Sequence, residues 1–311
     1  MIFVLPGAEG SPLCEESSVP KSYLHPADAN TSALLERTHP AWRRVQLEEL
    51  LAQQISLKQA HAIRRGRTAP SNRKALNESK SLQQELTRRL LNSLPFDLTG
   101  EQKKVWTEIK HDLQQPFPMN RLLQGDVGSG KTIIAALASA QMVQQGFQVA
   151  IMAPTEILAE QHYWKFKEWF ESFGINVVWL AGGMKVKEKK EAQEAIESGL
   201  AQIVVGTHAL IQDKVRFAAL GLAVIDEQHR FGVRQRLEIS QRVGNETYYC
   251  HQLMMSATPI PRTLAMTYYA DLDVSVIDEL PPGRQAITTK LVKDERRLEV
   301  IEGLRQWLQK G

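Results

Sequence analysis

Apolar residues follow two different rhythms along this chain, and the change comes near Pro95. Upstream, Trp42, Val45, Leu50, Leu51 and Ile55 recur every three to five residues among good helix formers. That spacing predicts an amphipathic helix over residues 41–63, ended by Gly66 and Pro70, and a second helix over 75–91. Downstream, the chain turns to short runs that are apolar on successive residues. They are Leu122-Leu123, 149–152, 177–180, 203–205, 222–225 and 253–255. Unbroken apolarity is what strands buried on both faces require. Helical stretches are predicted between these runs, over 131–144, 157–173 and 186–198. Strand–helix alternation predicts an α/β fold: a parallel β-sheet flanked by helices. Right-handed crossovers would line up the strand C-terminal ends along one edge, where ligands bind.

The same pattern divides the chain. Residues 1–38 are rich in Pro, Ser, Ala and Glu without a period, and are expected to be irregular. Residues 39–92 form a basic helical linker, with eleven Lys and Arg against four Glu. Two readings of that excess stay open: a phosphate-tracking surface, or an ordinary solvated helical face. Residues 93–277 hold the alternating domain. From residue 278 the segment Pro281-Pro282-Gly283 reads as a linker, followed by a strand over 286–292 and a helix over 296–309. One strand and one helix cannot make a core, so 278–311 is expected to be the start of an incomplete domain.

Composition adds limits. A chain of 311 residues that is 43% hydrophobic can bury a sizeable core, and a net charge of +3 confines any nucleic-acid binding to local patches. Cys14 and Cys250 are too few and too far apart for a disulfide scaffold or a cysteine-rich metal cluster, which suits a reducing, cytoplasmic setting. No apolar run approaches a membrane-spanning length, and Met1 to Leu5 is too short for a signal-peptide core.

Chemistry enters at Gly125-Asp126-Val127-Gly128-Ser129-Gly130-Lys131-Thr132. A glycine, four residues and Gly-Lys-Thr, placed between an apolar strand and an amphipathic helix, make a phosphate loop. The glycines let the backbone curl so that its N–H groups face an anion, and the helix start adds its positive end. Lys131 can reach terminal phosphates, and the Thr132 hydroxyl can ligate magnesium. This predicts binding of a nucleoside triphosphate with Mg2+. Roughly a hundred residues on, Asp226 and Glu227 end the apolar run 222–225. Beside a phosphate loop, Asp226 is expected to hold magnesium, directly or through water, and Glu227 to orient or deprotonate an attacking water. On its own, an acidic pair at a strand end is commonly a simple cap.

With those residues in view, a family resemblance can be stated. Asp226-Glu227-Gln228-His229 resembles the second motif of superfamily 2 helicases, and Ser256-Ala257-Thr258 resembles their third. The flanks are similar to RecG-type DNA helicases: Asp-Glu-Gln-His-Arg-Phe-Gly-Val from Asp226, Ser-Ala-Thr-Pro-Ile-Pro-Arg-Thr from Ser256, and Ala-Pro-Thr-Glu-Ile-Leu-Ala-Glu-Gln-His from Ala153. The stretch Asp278-Glu279-Leu280-Pro281-Pro282-Gly283-Arg284 fits as well. Transcription-repair coupling translocases share part of this, but typically read Asp-Glu-Glu-His and Gly-Phe-Gly-Lys-Thr; Gln228 and Ser129 favour the RecG type.

The resemblance implies that residues 93–277 are a RecA-like motor domain of an enzyme that couples ATP hydrolysis to movement on branched DNA, in repair and recombination. It implies that Phe96 and Gln102 read the adenine. A glutamine amide offers the donor and acceptor an adenine edge needs. The same Gln102 also fits a helix N-terminus capped by Thr99, and both can hold together. Pro154, Thr155 and Glu156, with Gly206, Thr207 and His208, are implied to touch the DNA backbone; plain turn chemistry is the alternative. His229, Ser256 and Thr258 are implied to couple nucleotide and DNA sites, with Arg230 and Arg262 as further candidates for contact.

There are departures. Ala181-Gly182-Gly183-Met184-Lys185-Val186-Lys187 replaces a Gly-Lys-x-Lys-Gly-Lys type of loop. Set against RecG-type enzymes, the N-terminal wedge domain is expected to be absent, and only the beginning of a second RecA-like domain is expected. The chain could therefore be a motor enzyme, or a nucleotide- and DNA-binding module without turnover. A phosphate-loop kinase or transporter ATPase is a third option, against which the second and third motifs speak.

Overall fold

In this computed structural model the described residues are 36, 40–70, 85–212, 215–227, 248–258, 272–279 and 291–309. They divide into two units, one of residues 1–68 and 260–272, the other of residues 69–259 and 273–311. The first is described mainly through helix α1, Pro40–Arg65. Proline suits its first position, where a helix has no use for the missing N–H. Arg64 and Arg65 close its last turn, where cations complement the helix dipole. Val45, Leu50, Leu51 and Ile55, the residues that predicted it, are exposed.

The second unit is built on seven parallel strands in the order β3-β4-β2-β5-β6-β1-β7. These are β1 (Asn120–Gly125), β2 (Gln148–Met152), β3 (Val177–Leu180), β4 (Ile203–Gly206), β5 (Leu220–Ile225), β6 (His251–Ser256) and β7 (Asp273–Ile277). The predicted parallel sheet flanked by helices is thus present. Strands β2, β4 and β5 are buried at every position, as their continuous apolar sequence requires. Strand β7 was not anticipated. It is an edge strand, its Asp-Val-Ser-Val-Ile is only partly buried, and so it lacks the continuous apolar run that marked the others.

The helices are α2 (Glu85–Ser93), α3 (Gly100–Asp112), α4 (Lys131–Gln144), α5 (Glu156–Phe170), α6 (Val186–Glu197) and α7 (Arg297–Gln309). Helix α2 is the end of the helix expected over 75–91, whose earlier part lies outside the described residues. Helix α4 corrects an expectation. It is not amphipathic but buried at every position from Ile133 to Val143. It packs on the sheet with one side and under α2 and α3 with the other. Ala135, Ala136, Ala138, Ser139 and Ala140 keep it slim enough for both contacts, and the Ser139 hydroxyl is satisfied by the Ala135 carbonyl at 2.7 Å. Of the strand expected over 286–292, residues 286–290 lie outside the described set, and Leu291 and Val292 are in no strand.

Candidate nucleotide site

Parallel register brings three strand ends together. Gln124 of β1 stands beside Ser256 of β6, and Met254 of β6 beside Ile225 of β5. The segments leaving β1, β6 and β5 are therefore the loop 125–132, Ala257-Thr258 and Asp226-Glu227. They share the C-terminal edge of the sheet, where open α/β sheets bind ligands.

The loop after β1 curls through Gly128 (φ 79°) and Gly130 (φ 91°). Both lie in the left-handed region that glycine adopts without penalty. Asp126 turns its own loop: its Oδ1 accepts from the Val127 N–H at 2.7 Å, and its carbonyl accepts from the Ser129 N–H at 3.1 Å. Gly130 is the N-cap of α4 and offers no side chain, so the first N–H groups of that helix have no side-chain cap. The Lys131 ammonium donates to the carbonyls of Gly125 at 2.6 Å and Asp126 at 2.9 Å. Burial pushes its pKa below the ordinary lysine value; the carboxylates of Asp226, Glu227 and Asp126 offset part of that. Charge complementarity between the loop lysine and the acidic pair is thus built in.

Gln102 fills the capping role expected of it. Thr99 and Gln102 form a capping box: the Gln102 N–H donates to Thr99 Oγ1 at 3.3 Å, and the Thr99 N–H to Gln102 Oε1 at 2.9 Å. Gln102 Nε2 also donates to the Ser129 carbonyl at 2.8 Å, tying α3 to the phosphate loop. An amide has two N–H donors and two acceptor lone pairs, so one of each remains for a ligand edge. A Cβ on Gly130 would collide with this amide, so the loop and the glutamine are fitted to each other.

At the end of β5 the strand alternation breaks. The Asp226 N–H still donates to the Met152 carbonyl of β2 at 2.8 Å, in sheet register. Glu227 then adopts φ 47°, the left-handed region, and is the described non-glycine residue that does so. Such a conformation costs roughly 1–2 kcal/mol and is kept where the site demands it. It brings both carboxylates to one pocket rather than to opposite faces. Asp226 is held at both oxygens: Oδ1 accepts from the Glu227 N–H at 3.0 Å, and Oδ2 from His162 Nε2 at 2.7 Å.

The pocket measures about 920 Å³, within the usual range for small-molecule sites. Of the residues expected at the nucleotide, Phe96, Gln102, Val127, Gly128, Gly130, Lys131, Thr132, Asp226 and Glu227 line it. Phe96 is half exposed. One wall was not expected at all. Leu158, Gln161, His162, Lys165 and Trp169 line the pocket from α5. Leu158, His162, Lys165 and Trp169 stand three or four residues apart on one face of the helix, with Gln161 beside His162. That spacing was legible, but nothing in it says that the face meets the end of β5 rather than the core.

The strand-end loops expected to meet a second ligand are neighbours as well. Met152 of β2 pairs with Gly206 of β4, and the Ala153 N–H donates to the Gly206 carbonyl at 3.0 Å. Pro154-Thr155-Glu156 and Gly206-Thr207-His208 therefore sit side by side. Thr155 caps α5 through the Leu158 N–H, and Glu156 Oε1 accepts from the Gly183 N–H at 3.2 Å, holding the departing loop after β3. His208 is exposed, but the Thr207 side chain is buried and its hydroxyl has no hydrogen-bond partner, so it is not presented to a surface ligand. Ser256 Oγ and Thr258 Oγ1 bond each other at 2.9 Å, and Ser256 Oγ also accepts from the Thr258 N–H at 3.2 Å. His229, Arg230 and Arg262 lie outside the described residues.

Known proteins similar to this chain are helicases. A family model described as DEAD/DEAH box helicase matches residues 99–267, more than half of the chain. A curated relative from Pasteurella multocida, ATP-dependent DNA helicase RecG, is 53% identical over 281 residues, which are 90% of this chain and 39% of that protein. The protein of the same name from Escherichia coli K12 is 50% identical over 277 residues, 89% of this chain and 39% of its own. A solved structure of RecG bound to a three-way DNA junction superposes with a TM-score of 0.73 at 41% identity, covering 87% of this chain and 35% of that one. The chain spans about two fifths of the length of these curated relatives.

Proposed function

Because the chain belongs to the DEAD/DEAH box helicase family, we propose that it is the nucleotide-binding motor domain of a RecG-type helicase, working in the cytoplasm on branched DNA. The observation that carries this reading is the meeting of Lys131, Asp226 and Glu227 in one pocket beside a curled glycine loop. By sequence, residues 93–277 would be this motor, 39–92 its basic helical linker, 1–38 an irregular lead and 278–311 the passage to a second domain.

In this reading the loop N–H groups from Gly125 to Thr132 hold the β- and γ-phosphates of ATP, and Lys131 neutralises the terminal charge. To do so its ammonium exchanges two carbonyl partners for phosphate oxygens. Phe96 packs on the adenine, and Gln102 reads its edge with the donor and acceptor it has left. For magnesium, the available donors are the Thr132 hydroxyl and the Asp226 carboxylate, both hard oxygen ligands at the pocket wall. Among the described residues no group of three or more His, Cys, Asp or Glu forms a cage. That suits an ion held by one or two protein oxygens together with phosphates and water. When bound, it would draw charge from the phosphate oxygens. Glu227 receives the proton of the attacking water. Pro154, Thr155, Glu156, Gly206 and His208 track the backbone of one DNA strand, and Thr207 contributes through its main chain. Ser256, at the end of β6 between the strands of the loop and the acidic pair, and Thr258 just after it relay between the sites, with His229 as their partner.

A second reading rests on a specific observation. No arginine is among the described residues that line the pocket, while Arg230 and Arg262, which follow the acidic pair and Ser256-Ala257-Thr258 in sequence, lie outside the described residues. Phosphoryl transfer of this type depends on an arginine that is worth roughly 10³–10⁵ in rate in related hydrolases. The chain by itself would then bind nucleotide and DNA with little turnover. Nucleotide affinity and phosphate release of the purified chain, with and without a forked duplex, test both. Nucleotide binding that responds to DNA supports the motor reading, and helicase-like turnover removes the binding-only one. Nucleotide affinity indifferent to DNA would instead favour a phosphate-loop enzyme of another kind.

A further inference from the structure

We infer that His162 is a positioning residue for the magnesium-bearing carboxylate, and that α5 joins the loop Pro154-Thr155-Glu156 to the nucleotide site through it. The inference rests on the nucleotide reading above and adds a residue which that reading does not use.

Three observations carry it. First, Asp226 is pinned by two donors of different origin. The Glu227 N–H at Oδ1 is local, and follows from the left-handed turn; the His162 Nε2 contact at Oδ2 reaches across from another element. A carboxylate oxygen serves here as acceptor, with Nε2 as the donor, and the imidazole constrains how the carboxylate is turned. Second, His162 is itself only 9% exposed and lines the same pocket as Lys131 and Thr132. Partners that orient a ligating carboxylate are as much a part of a metal site as the ligand, and their loss typically weakens metal affinity 10–100-fold. Third, His162 lies two turns into a helix whose N-cap is Thr155 and whose first residue is Glu156. A helix moves as a rod over so short a distance. A ligand that displaces the Thr155 loop must therefore move His162, and with it the Asp226 carboxylate. This route runs through α5, apart from the Ser256–Thr258 pair at the end of β6.

The test uses the full 311-residue chain, a fluorescent non-hydrolysable ATP analogue, Mg2+ or EDTA, and a forked duplex. The parent should bind the analogue more tightly in Mg2+ than in EDTA. His162→Leu should reduce the Mg2+-dependent gain 10–100-fold, so that affinity falls much further in Mg2+ than in EDTA. It should also shrink the effect of DNA on affinity in Mg2+. His162→Gln, which retains an N–H donor, should recover part of both. In the Asp226→Asn background, His162→Leu should have no further effect on Mg2+ dependence, because the carboxylate it orients is gone. Equal losses with Mg2+ and EDTA, or full Mg2+ dependence and full DNA response in His162→Leu, would overturn the proposal. Should His162→Leu not fold, His162→Gln and its combination with Asp226→Asn decide the matter on the same two readouts. A parent that fails to bind the analogue at all would overturn the nucleotide reading instead, which keeps the two failures distinct.

Discussion

Gly130→Ala together with Gln102→Ala tests how the phosphate loop is held. At φ 91°, alanine at 130 carries a left-handed penalty of about 1–2 kcal/mol. Its Cβ also collides with the Gln102 amide, which must rotate away. Rotation forfeits the bonds from Nε2 to the Ser129 carbonyl and from the Thr99 N–H to Oε1, each worth about 1 kcal/mol net. The single change should thus cost about 3–4 kcal/mol. Gln102→Ala alone loses the same two bonds, about 2 kcal/mol. If both act through one contact, the double variant should cost about 3–4 kcal/mol rather than the 5–6 of the sum, a coupling of about 2 kcal/mol. Urea denaturation of the four proteins measures it. Costs that add within about 0.5 kcal/mol would refute the shared contact, since independent sites behave that way. A stabilising Gly130→Ala would refute the left-handed loop itself.

Other consequences can be checked with simpler means. Lys131→Ala should lose nucleotide binding while the denaturation midpoint changes little, because its bonds end on loop carbonyls at the pocket wall; unchanged affinity removes the phosphate-loop assignment. Glu227→Gln should keep binding and block hydrolysis in any assembly of this domain that turns over; lost binding would mean that the two carboxylates divide their roles differently. Gly206→Ala should cost about 2–3 kcal/mol in denaturation, since its Cβ meets the Leu180 backbone carbonyl of β3, which cannot yield as a side chain can. His251 is wholly buried, its Nδ1 accepts from the Met119 N–H at 3.0 Å, and burial pushes its pKa down to about 3. Below the ordinary histidine value the unfolded chain takes up a proton that the folded one refuses. Stability should therefore fall as pH drops from near 6.5 toward 3, by roughly 1.4 kcal/mol per unit from this group. His251→Asn, which does not titrate, should lose about 2 kcal/mol less than the parent between pH 7 and 5; equal losses would show that the ring is protonated in the fold.

The parts of this site that were legible in the sequence are those that a local rule dictates. Continuous apolar runs mark β2, β4 and β5 because both faces of those strands are covered, and Gly-Lys-Thr after a strand marks a phosphate loop because only a curled backbone presents N–H groups to an anion. The capping box at Thr99 and Gln102 follows from spacing alone. What stayed hidden depends on where elements meet. Asp273–Ile277 alternates with polar residues because it is an edge strand, so no run announces it. The helix from Lys131 looked amphipathic, yet α2 and α3 cover its outer side. The face of α5 that includes His162 and Trp169 carries a readable period, but its neighbour across the sheet does not follow from that period. The left-handed turn at Glu227 had no glycine or asparagine to betray it, and it is what lets two successive strand-end carboxylates share one pocket.

The central claim is that this pocket binds a magnesium–nucleoside triphosphate through the loop around Lys131. Calorimetric titration of the 311-residue chain with a non-hydrolysable ATP analogue, in Mg2+ and in EDTA, tests it most directly. One saturable site per chain is expected, tighter in Mg2+ and abolished by Lys131→Ala. No binding, or binding that Lys131→Ala leaves intact, would contradict it.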